Sequence, residues 1–359
     1  MFPADFRYAR ARSLDEALDL LDEAAAAGDE AKLIAGGQSL LPMMKLRLAA
    51  PQVLIDIAGL PELSGGGWDG PVAGGHLSYT IGALRTYREL GRDTLLAGGL
   101  VRGRDESAPP HQAEGIAAVT DALAVLADPQ VRARGTIGGA VAHGDPAADL
   151  PAVLLALDAE VVIAGRPGRH EHKPGPPHHL PRAPRPGEEP SNVERQTMLL
   201  DDFLQGIYAT DLAEDEIITH VKITAQGGRA SAYEKFPHPA SHLPLAGVAV
   251  ALTFTSGTLT DSGGRVTSLS DGSIASAAIA VTGIATRPYR ARAAEAVLKG
   301  AFPAPDVLAA AAAQVARAGD GTELSLLGDQ HASAPYRAHL AEVLAGRALA
   351  RALARAESA

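Results

Sequence analysis

The sequence predicts an α+β protein with a larger amino-terminal domain and a smaller carboxy-terminal one. Its 359 residues suffice for two domains or more, at roughly 100–200 residues each. The first part of the chain alternates strand-like and helical segments around two glycine-rich loops. The last part, beyond Gly227 and Gly228, places strand-like segments before helical ones. That order is typical of a sheet with helices packed against it.

Composition excludes several classes of function. Hydrophobic residues make up 46% and aromatic residues only 4%, so the core must be built from Ala, Leu, Val and Ile. A net charge of −10 argues against a nucleic-acid partner. Without cysteine, the chain cannot carry a disulfide, a catalytic thiol or an iron–sulfur cluster. No apolar run reaches the roughly 18 residues of a membrane span, and the amino terminus lacks a signal-peptide pattern, so we expect a cytoplasmic protein.

The amino-terminal segment reads as a strand followed by an amphipathic helix. Phe2 to Tyr8 is extended in character. Ser13 then opens a helix, and Glu16, three residues later, completes a capping-box pattern. Leucines and alanines at helical spacing form its apolar face, and Gly28 ends it.

The first glycine loop follows a short strand, Lys32 to Ala35. Residues 35–46 read AGGQSLLPMMKL, in which Gly36 and Gly37 make the turn. Ser39 is a candidate helix cap, and Pro42 fits the first helical turn. A strand, a glycine turn and a helix start together form an anion-binding arrangement. The loop matches neither the Walker pattern nor G-x-G-x-x-G.

The segments between the two loops are shorter and less regular. A strand at Val53 to Ile57 completes a βαβ-like opening unit of about 60 residues. The further predicted segments are a turn at Gly65–Gly75, a strand at Tyr79–Leu84, a helix start at Arg85–Leu90, an exposed loop at Arg102–Gly115 and a helix at Ile116–Leu126.

The second glycine loop lies in the stretch Arg134 to Pro151, which reads RGTIGGAVAHGDPAADLP. Its three glycines allow a close backbone approach, Thr136 offers a hydroxyl, and Asp145 and Asp149 offer carboxylates. Such a set suits a ligand with phosphates and sugar hydroxyls. The alternative interpretation is a tight turn with a helix cap. The presence of the first loop favours a phosphate-bearing ligand held between the two. An apolar run at Ala152–Ile163 follows, in the pattern of a helix leading into a strand.

Residues Gly165 to Gln196 differ in composition from the rest. They hold eight prolines and four histidines, His170, His172, His178 and His179, with almost no apolar residue to bury. We expect a loosely attached surface excursion. The histidines could bind a metal, but nothing fixes a ligand geometry, so no metal site is predicted.

The remaining segments fall on both sides of a domain boundary: those up to residue 223 precede it and those from residue 246 follow it. Gly227 and Gly228 mark the expected domain boundary. The predicted segments are a helix at Asp201–Tyr208, strands at Glu216–Ile223, Ala246–Thr255 and Ile274–Ile284, a turn at Asp261–Gly264, and helices at Ala291–Leu298, Pro305–Ala318 and Arg337–Ala356.

Four stretches together carry a family resemblance. They read AGGQSLLPMMKLRLA at 35–49, ADPQVRARGTIGG at 127–139, HGDPAADLPA at 143–152 and YEKF at 233–236. In this order they resemble the FAD-carrying medium subunits of molybdenum hydroxylases, which include the carbon monoxide, xanthine and aldehyde dehydrogenases. The similarity extends from Met1 to about residue 350.

The resemblance implies a fold and domain limits. We expect a two-lobed FAD-binding domain of the vanillyl-alcohol-oxidase/PCMH type at residues 1–227, with lobes at about 1–60 and 61–227 and the proline- and histidine-rich insertion at 165–196. A smaller α+β domain with an antiparallel sheet and helices would occupy 228–359.

It also implies a cofactor site, with FAD bound non-covalently. The two loops would hold the pyrophosphate from opposite sides, Asp149 would accept a hydrogen bond from a cofactor hydroxyl, and Lys235 would lie near the flavin or its phosphates. Ala140 stands where many relatives have Asn or Ser, which leaves only backbone contact there. The expected cofactor-binding residues are Ala35, Gly36, Gly37, Gln38, Ser39, Thr136, Ile137, Gly138, Gly139, Ala140, Asp149 and Lys235.

The function implied is electron transfer within a complex. A large subunit would carry the molybdenum cofactor and a small subunit the [2Fe–2S] clusters, and FAD on this chain would pass electrons to an external acceptor. No catalytic residue is predicted, although Tyr208 and Tyr233 are candidates for lying near the flavin ring. The alternatives are a self-contained flavin oxidase or reductase and a nucleotide-binding module without redox chemistry.

Overall fold

The computed structural model describes residues 2–69, 77–93, 114–172, 192–225, 229–255, 272–317 and 325–358. Several predictions fall outside these ranges. They concern most of the Arg102–Gly115 loop, the Gly227–Gly228 boundary, the Asp261–Gly264 turn and the middle of the proline-rich insertion.

The first lobe is a three-stranded parallel sheet with two helices. Strands β1 (Arg7–Arg10), β2 (Ala31–Ile34) and β3 (Val53–Asp56) pair in the order β1-β3-β2. Helix α1 (Leu14–Ala27) connects the first two strands, and the short helix α2 (Leu40–Lys45) follows the first glycine loop. The predicted βαβ-like opening unit is thus confirmed.

The ends of α1 follow the sequence signals closely. The Ser13 side chain accepts a hydrogen bond of 3.1 Å from the Glu16 N–H, and Gly28 ends the helix with a left-handed backbone at φ 75°. The second half of the predicted capping box differs, because the Glu16 carboxylate accepts from the N–H of Arg12. Ser39 precedes α2 but makes no capping hydrogen bond, so its predicted capping role is wrong.

The second lobe is built on a five-stranded antiparallel sheet with order β4-β5-β10-β6-β7. Its strands are β4 (Gly66–Asp69), β5 (Leu77–Gly82), β6 (Glu160–Gly165), β7 (Glu194–Leu199) and β10 (Ile217–Ala225). The strand β4 lies where a glycine-rich turn was predicted. Gly66 lies so close to the Thr80 carbonyl that a side chain would clash there, which explains a strand made of glycines.

Helices of the second lobe surround this sheet. They are α3 (Tyr87–Leu90), α4 (Ala117–Val125), α5 (Pro129–Arg134), α6 (Ile137–His143), α7 (Asp149–Ala156) and α8 (Leu200–Phe203). Every residue of α7 is buried. The helix predicted at Asp201–Tyr208 ends at Phe203, and the two short strands β8 (Leu204–Gly206) and β9 (Ala209–Thr210) take its place.

Both ends of the proline-rich insertion are ordered, which corrects the prediction of a loose excursion from residue 165 to residue 196. The first residues after β6 reach the first lobe. Arg166 donates to Asp15 and Asp19 on α1, and Arg169 pairs with Asp22. At the other end, β7 pairs along the whole of β6. Ion pairs between charged side chains fix these ends, even though the segment has almost no apolar residue to bury.

The carboxy-terminal part is a four-stranded antiparallel sheet with three helices. The strands β11 (Arg229–Pro237), β12 (Pro244–Phe254), β13 (Ile274–Thr282) and β14 (Tyr289–Arg290) pair in that order. The helices are α9 (Arg292–Leu298), α10 (Pro305–Ala312) and α11 (Ala334–Ser358). The expected α+β architecture, with two lobes followed by an antiparallel sheet and helices, is confirmed.

The carboxy-terminal sheet is buried on both faces, and its strands show this in their sequence. Along β12, Val248 and Val250 belong to the core shared with α9 to α11, whereas Ala249 and Ala251 belong to the core of the second lobe. Small alanines on one face allow the close approach of α7. One face of this sheet therefore contributes to the core of the second lobe, and the other face forms a separate core with α9 to α11.

A polar junction accompanies this packing. Asp121 on α4 is buried and accepts hydrogen bonds from Arg351 at 2.8 Å and from both terminal nitrogens of Arg355 at 2.7 Å. It also accepts a hydrogen bond from the N–H of Tyr233 at 3.1 Å. One carboxylate thus joins a helix of the second lobe to β11 and α11.

Within the described residues, no helix combines the length and the apolar character that a membrane crossing requires.

Candidate functional site

A groove lies between the two glycine loops, with a volume of about 360 Å³. Its rim combines residues of the first lobe with residues of the second, although the two loops are about a hundred positions apart. Nine of the predicted cofactor-binding residues line it: Ala35, Gly36, Gly37, Gln38, Ser39, Thr136, Gly138, Gly139 and Ala140.

The first loop presents backbone donors to this groove. Gly37 adopts the left-handed conformation, with φ 73°, which turns the chain at the end of β2. Among the described residues, none accepts a hydrogen bond from the N–H groups of Gly36, Gly37, Gln38 or Ser39. Backbone donors without a protein acceptor, at the lip of a cavity, form a site for an anion such as phosphate.

The N–H groups of the second loop, in contrast to those of the first, have acceptors within the protein. The N–H of Ile137 donates to the Arg85 carbonyl at 3.1 Å, and that of Gly138 donates to the Ala83 carbonyl at 2.9 Å. The N–H groups of Gly139 and Ala140 donate to the hydroxyl and the carbonyl of Thr136. The backbone N–H groups at the start of α6 are therefore occupied by acceptors within the protein, and they are not left for a ligand as those of the first loop are.

The glycines of the second loop serve close packing within the protein. A β-carbon on Gly138 would lie 2.5 Å from that of Ala83, and one on Gly135 would overlap the ring of Tyr87. In the first loop, a β-carbon on Gly36 would likewise overlap the carbonyl group of Arg134. These contacts bring the two loops together and so create the groove.

Apolar side chains form the walls of the groove. They come from the ends of strands on both sides: Leu33, Ile34, Ile57, Leu212, Ile217 and Ile218. A groove with N–H donors at one lip and aliphatic walls suits a ligand that has both a phosphate part and an apolar part. Sequence reasoning missed these wall residues because they lie in strands whose pairing partners are remote in the chain.

His143 and Tyr208 also line the groove, and their rings contact each other with centroids 4.9 Å apart. Tyr208 has a left-handed backbone, at φ 51°, and its ring is 57% exposed. Strained backbone at a non-glycine residue is typical of functional sites. Burial lowers the pKa of His143 even though Asp145 opposes this effect, so the imidazole is neutral at pH 7. Of the two tyrosines proposed to lie near a flavin ring, Tyr208 therefore borders the groove.

The other predicted residues lie behind the groove. Asp149 is buried and accepts hydrogen bonds of 2.8 Å from the hydroxyl of Tyr233 and from Nζ of Lys235. Gly247 leaves room for the Tyr233 hydroxyl, because a side chain there would overlap it. The side chain of Ile137 is fully buried in the core of the second lobe. The structure brings Asp149 and Lys235 together, but neither is among the residues that line the groove.

Two histidines of the insertion, His170 and His172, lie within the described residues, and each contacts carboxylates. His170 contacts Asp215, and His172 contacts Asp211 and Glu216, all at 2.7–2.9 Å. Across the part of the chain that the structure describes, no group of three or more His, Asp or Glu side chains is placed to hold a metal ion. His178 and His179 lie outside the described residues.

Comparison with protein families gives two matches that divide the chain. A family described as the FAD binding domain in molybdopterin dehydrogenase matches residues 4–174. A family described as the CO dehydrogenase flavoprotein C-terminal domain matches residues 231–352.

Individual relatives match along almost the whole chain. The nicotine 6-hydroxylase medium subunit of Paenarthrobacter nicotinovorans is 32% identical over 349 residues, which cover 97% of this chain and 98% of the relative. The carbon monoxide dehydrogenase medium chain of Afipia carboxidovorans is 31% identical over 363 residues, which cover 100% of each chain. Among solved structures, carbon monoxide dehydrogenase from Hydrogenophaga pseudoflava superposes with a TM-score of 0.73 and 32% identity, and the match covers 99% of each chain.

Proposed function

The chain belongs to the family of FAD-binding medium subunits of molybdenum hydroxylases, and from this premise we propose that it is the electron-transfer subunit of such a complex. Its cofactor is FAD, and the molybdenum and iron–sulfur centres belong to other subunits. In the proposed route, electrons pass from [2Fe–2S] clusters on a small subunit through FAD to an external acceptor. A large subunit with the molybdenum cofactor would oxidise the substrate.

The observation that carries this proposal is the groove between the two glycine loops. One lip is formed by Gly36, Gly37, Gln38 and Ser39, whose N–H groups have no acceptor among the described residues, and a pyrophosphate would be held there. The second loop would frame the opposite side through Thr136, Gly139 and their neighbours rather than through free N–H groups. Bound FAD supplies a carrier of two electrons, and the protein contributes its orientation and electrostatic surroundings.

Asp149 and Lys235 would act on the cofactor site indirectly, because neither lines the groove. The Asp149 carboxylate is close enough to Tyr87, which lines the groove, to add to the effect of burial in raising the pKa of that phenol. Lys235 holds Asp149 in place and also donates to the His242 carbonyl at 2.9 Å. We propose that this buried pair positions the start of α7 behind the second loop, with Tyr87 as the link to the groove.

A self-contained flavin oxidase or reductase is the alternative function. Such an enzyme needs an acid or base beside its flavin. The titratable side chains that line the groove, within the described ranges, are Lys32, Tyr87, His143 and Tyr208, and no carboxylate is among them. His143 paired with Tyr208 is the only feature there that favours the alternative.

Reconstitution distinguishes the two functions. The isolated chain, loaded with FAD and given aldehydes, purines or carbon monoxide with an artificial acceptor, should oxidise none of them. Combined with partner subunits that carry the molybdenum cofactor and the [2Fe–2S] clusters, it should show flavin reduction that depends on substrate. Robust turnover by the lone chain would refute the subunit proposal and support the self-contained enzyme.

A further inference from the structure

His172 is held between two carboxylates. Its Nδ1 lies 2.9 Å from Oδ2 of Asp211, and its Nε2 lies 2.7 Å from Oε1 of Glu216. The His172 side chain is only 6% exposed. Both partners accept hydrogen bonds, so both ring nitrogens must carry a proton. A neutral imidazole has only one N–H, and the geometry therefore fits an imidazolium paired with two carboxylates.

The two carboxylates delimit a turn that builds one wall of the groove. Glu216 closes this turn on itself, because its Oε2 accepts a hydrogen bond of 2.9 Å from the N–H of Ala213 and its own N–H donates to the Ala213 carbonyl. Leu212 lies within the turn, and β10 begins directly after it with Ile217 and Ile218. These three apolar residues all line the groove.

Resting on the proposed role in FAD binding, we propose that His172 is a positioning residue for the flavin groove. As an imidazolium it ties Asp211 to Glu216 and so fixes the turn that presents Leu212, Ile217 and Ile218 to the cofactor. The backbone of His172 is itself anchored, because its N–H donates to the Gln196 side chain at 3.0 Å and Gln196 donates back to the His170 carbonyl at 2.6 Å. The ordered end of the insertion thus holds the groove wall from behind.

The charges around His172 favour its protonated form. Burial lowers the pKa of His172, but the hydrogen bonds and charges of Asp211 and Glu216 outweigh this effect and raise the pKa above its usual value. The neighbouring charged groups, His170 and Arg169, both contact Asp215 rather than His172. The positive charge on His172 is therefore matched by two carboxylates of its own.

The sign of the pH dependence follows from this shift. A histidine whose pKa is raised in the folded, FAD-competent state stabilises that state fully at pH values below the ordinary histidine pKa of about 6.5. This stabilisation is lost as the pH rises through the raised pKa. FAD affinity should therefore fall as the pH rises from about 6.5, the ordinary histidine value, into the alkaline range. Loss of one charge-assisted link corresponds to a decrease of about tenfold. The pKa of His143 is lowered from its usual value, whereas that of His172 is raised. The effects of the two histidines on FAD affinity therefore occur in different pH ranges.

The test is the dissociation constant for FAD of the full-length chain, measured by flavin fluorescence across this pH range. His172→Gln should bind FAD about tenfold more weakly at pH 6 and show no alkaline decrease, because a glutamine cannot donate to both carboxylates with a charge. Asp211→Asn removes one carboxylate and should shift the midpoint of the decrease to lower pH. The matched control is His339→Gln, at an exposed histidine on α11, which should leave the wild-type profile unchanged.

Each outcome decides between the alternatives. An unchanged alkaline decrease in His172→Gln, or an unshifted midpoint in Asp211→Asn, would overturn the positioning role. If His172→Gln does not fold, Asp211→Asn alone carries the test, since its side chain is 43% exposed and its loss is tolerable. The measurement concerns FAD affinity and not turnover, so failure of the electron-transfer proposal would leave this result intact.

Discussion

A β-carbon on Gly36 would lie 2.7 Å from the carbonyl carbon of Arg134 and closer still to its oxygen. The first glycine loop therefore rests directly on the residue that ends α5, just before the second loop. This contact sets the width of the groove at the lip formed by the first loop. The two loops, although distant in sequence, behave as one packed unit.

Gly36→Ala should consequently separate the loops and reduce FAD binding. The backbone overlap cannot be relieved by a flexible side chain, so we expect a loss of about 1–3 kcal/mol of stability together with a substoichiometric flavin content. The ratio of flavin to protein absorbance and the thermal midpoint measure both effects. Gly346→Ala, where a β-carbon meets open space on α11, is the matched control and should be neutral or slightly stabilising. Full flavin occupancy in Gly36→Ala would contradict the packing argument.

Gly37→Ala tests the left-handed turn of the first loop. The substitution strains the backbone by about 1 kcal/mol and redirects the N–H groups that face the groove. Gly300→Ala is matched in backbone conformation, because Gly300 has φ 78° against 73° for Gly37. It differs in surroundings, since a β-carbon on Gly37 would meet the flexible end of Leu41 at 2.9 Å, whereas one on Gly300 meets open space. Both variants should lose similar stability in urea unfolding, whereas only Gly37→Ala should lose FAD. Equal FAD content in the two variants would mean that the first loop does not bind the cofactor through its backbone.

Asp121→Ala should weaken the junction between the second lobe and the carboxy-terminal sheet. It removes the shared acceptor of Arg351, Arg355 and the Tyr233 N–H, and we expect a loss of about 2–3 kcal/mol. Asp29→Ala breaks an exposed pair with Arg7 and should cost under about 1 kcal/mol. Equilibrium unfolding in urea compares the two. Similar losses would show that the buried junction contributes no more than a surface ion pair.

Only the middle of the insertion, residues 173–191, should be dispensable for FAD binding. Replacing residues 173–191 with a short Gly/Ser linker should leave FAD binding intact, because Gly165 pairs with Glu194 and the two ends are already close. Removing all of 165–196 should instead abolish FAD binding, since it deletes Arg166, His172 and the start of β7. The flavin content of the two purified deletions is the measurement. A flavin-free product from the shorter deletion would show that residues 173–191 support the cofactor.

The two loops were predictable from sequence because their signals are local. Glycine, Ser39 and Pro42 close to the end of an apolar strand suffice to indicate a turn that approaches a ligand. The side chain of Ser39 nevertheless makes no cap, and two N–H groups of the second loop, those of Ile137 and Gly138, donate to carbonyls about fifty residues earlier in the chain. Which N–H groups remain free is a property of tertiary packing, and no local pattern reports it.

The groove walls and the role of His172 could not be predicted in the same way. Ile217 and Ile218 belong to a strand that pairs with β5 and β6, whose sequence positions are remote. The partners of His172 lie 39 and 44 residues further along the chain. Composition correctly marked the insertion as poor in apolar residues, but it says nothing about ion pairs formed at its ends. Charged contacts between remote segments leave no periodic signal in a sequence.

The sequence separation of the contacts at Asp121 has a consequence for the order of folding events. Its hydrogen bonds reach Tyr233, 112 residues away, and Arg355, 234 residues away. Closing loops of that length costs entropy before any contact repays it, so we expect these bonds to form late in folding. Until α11 packs against the sheet, the Asp121 carboxylate on α4 lacks its partners Arg351 and Arg355. The flavin-binding lobes should therefore reach their final packing only in the last kinetic step of folding.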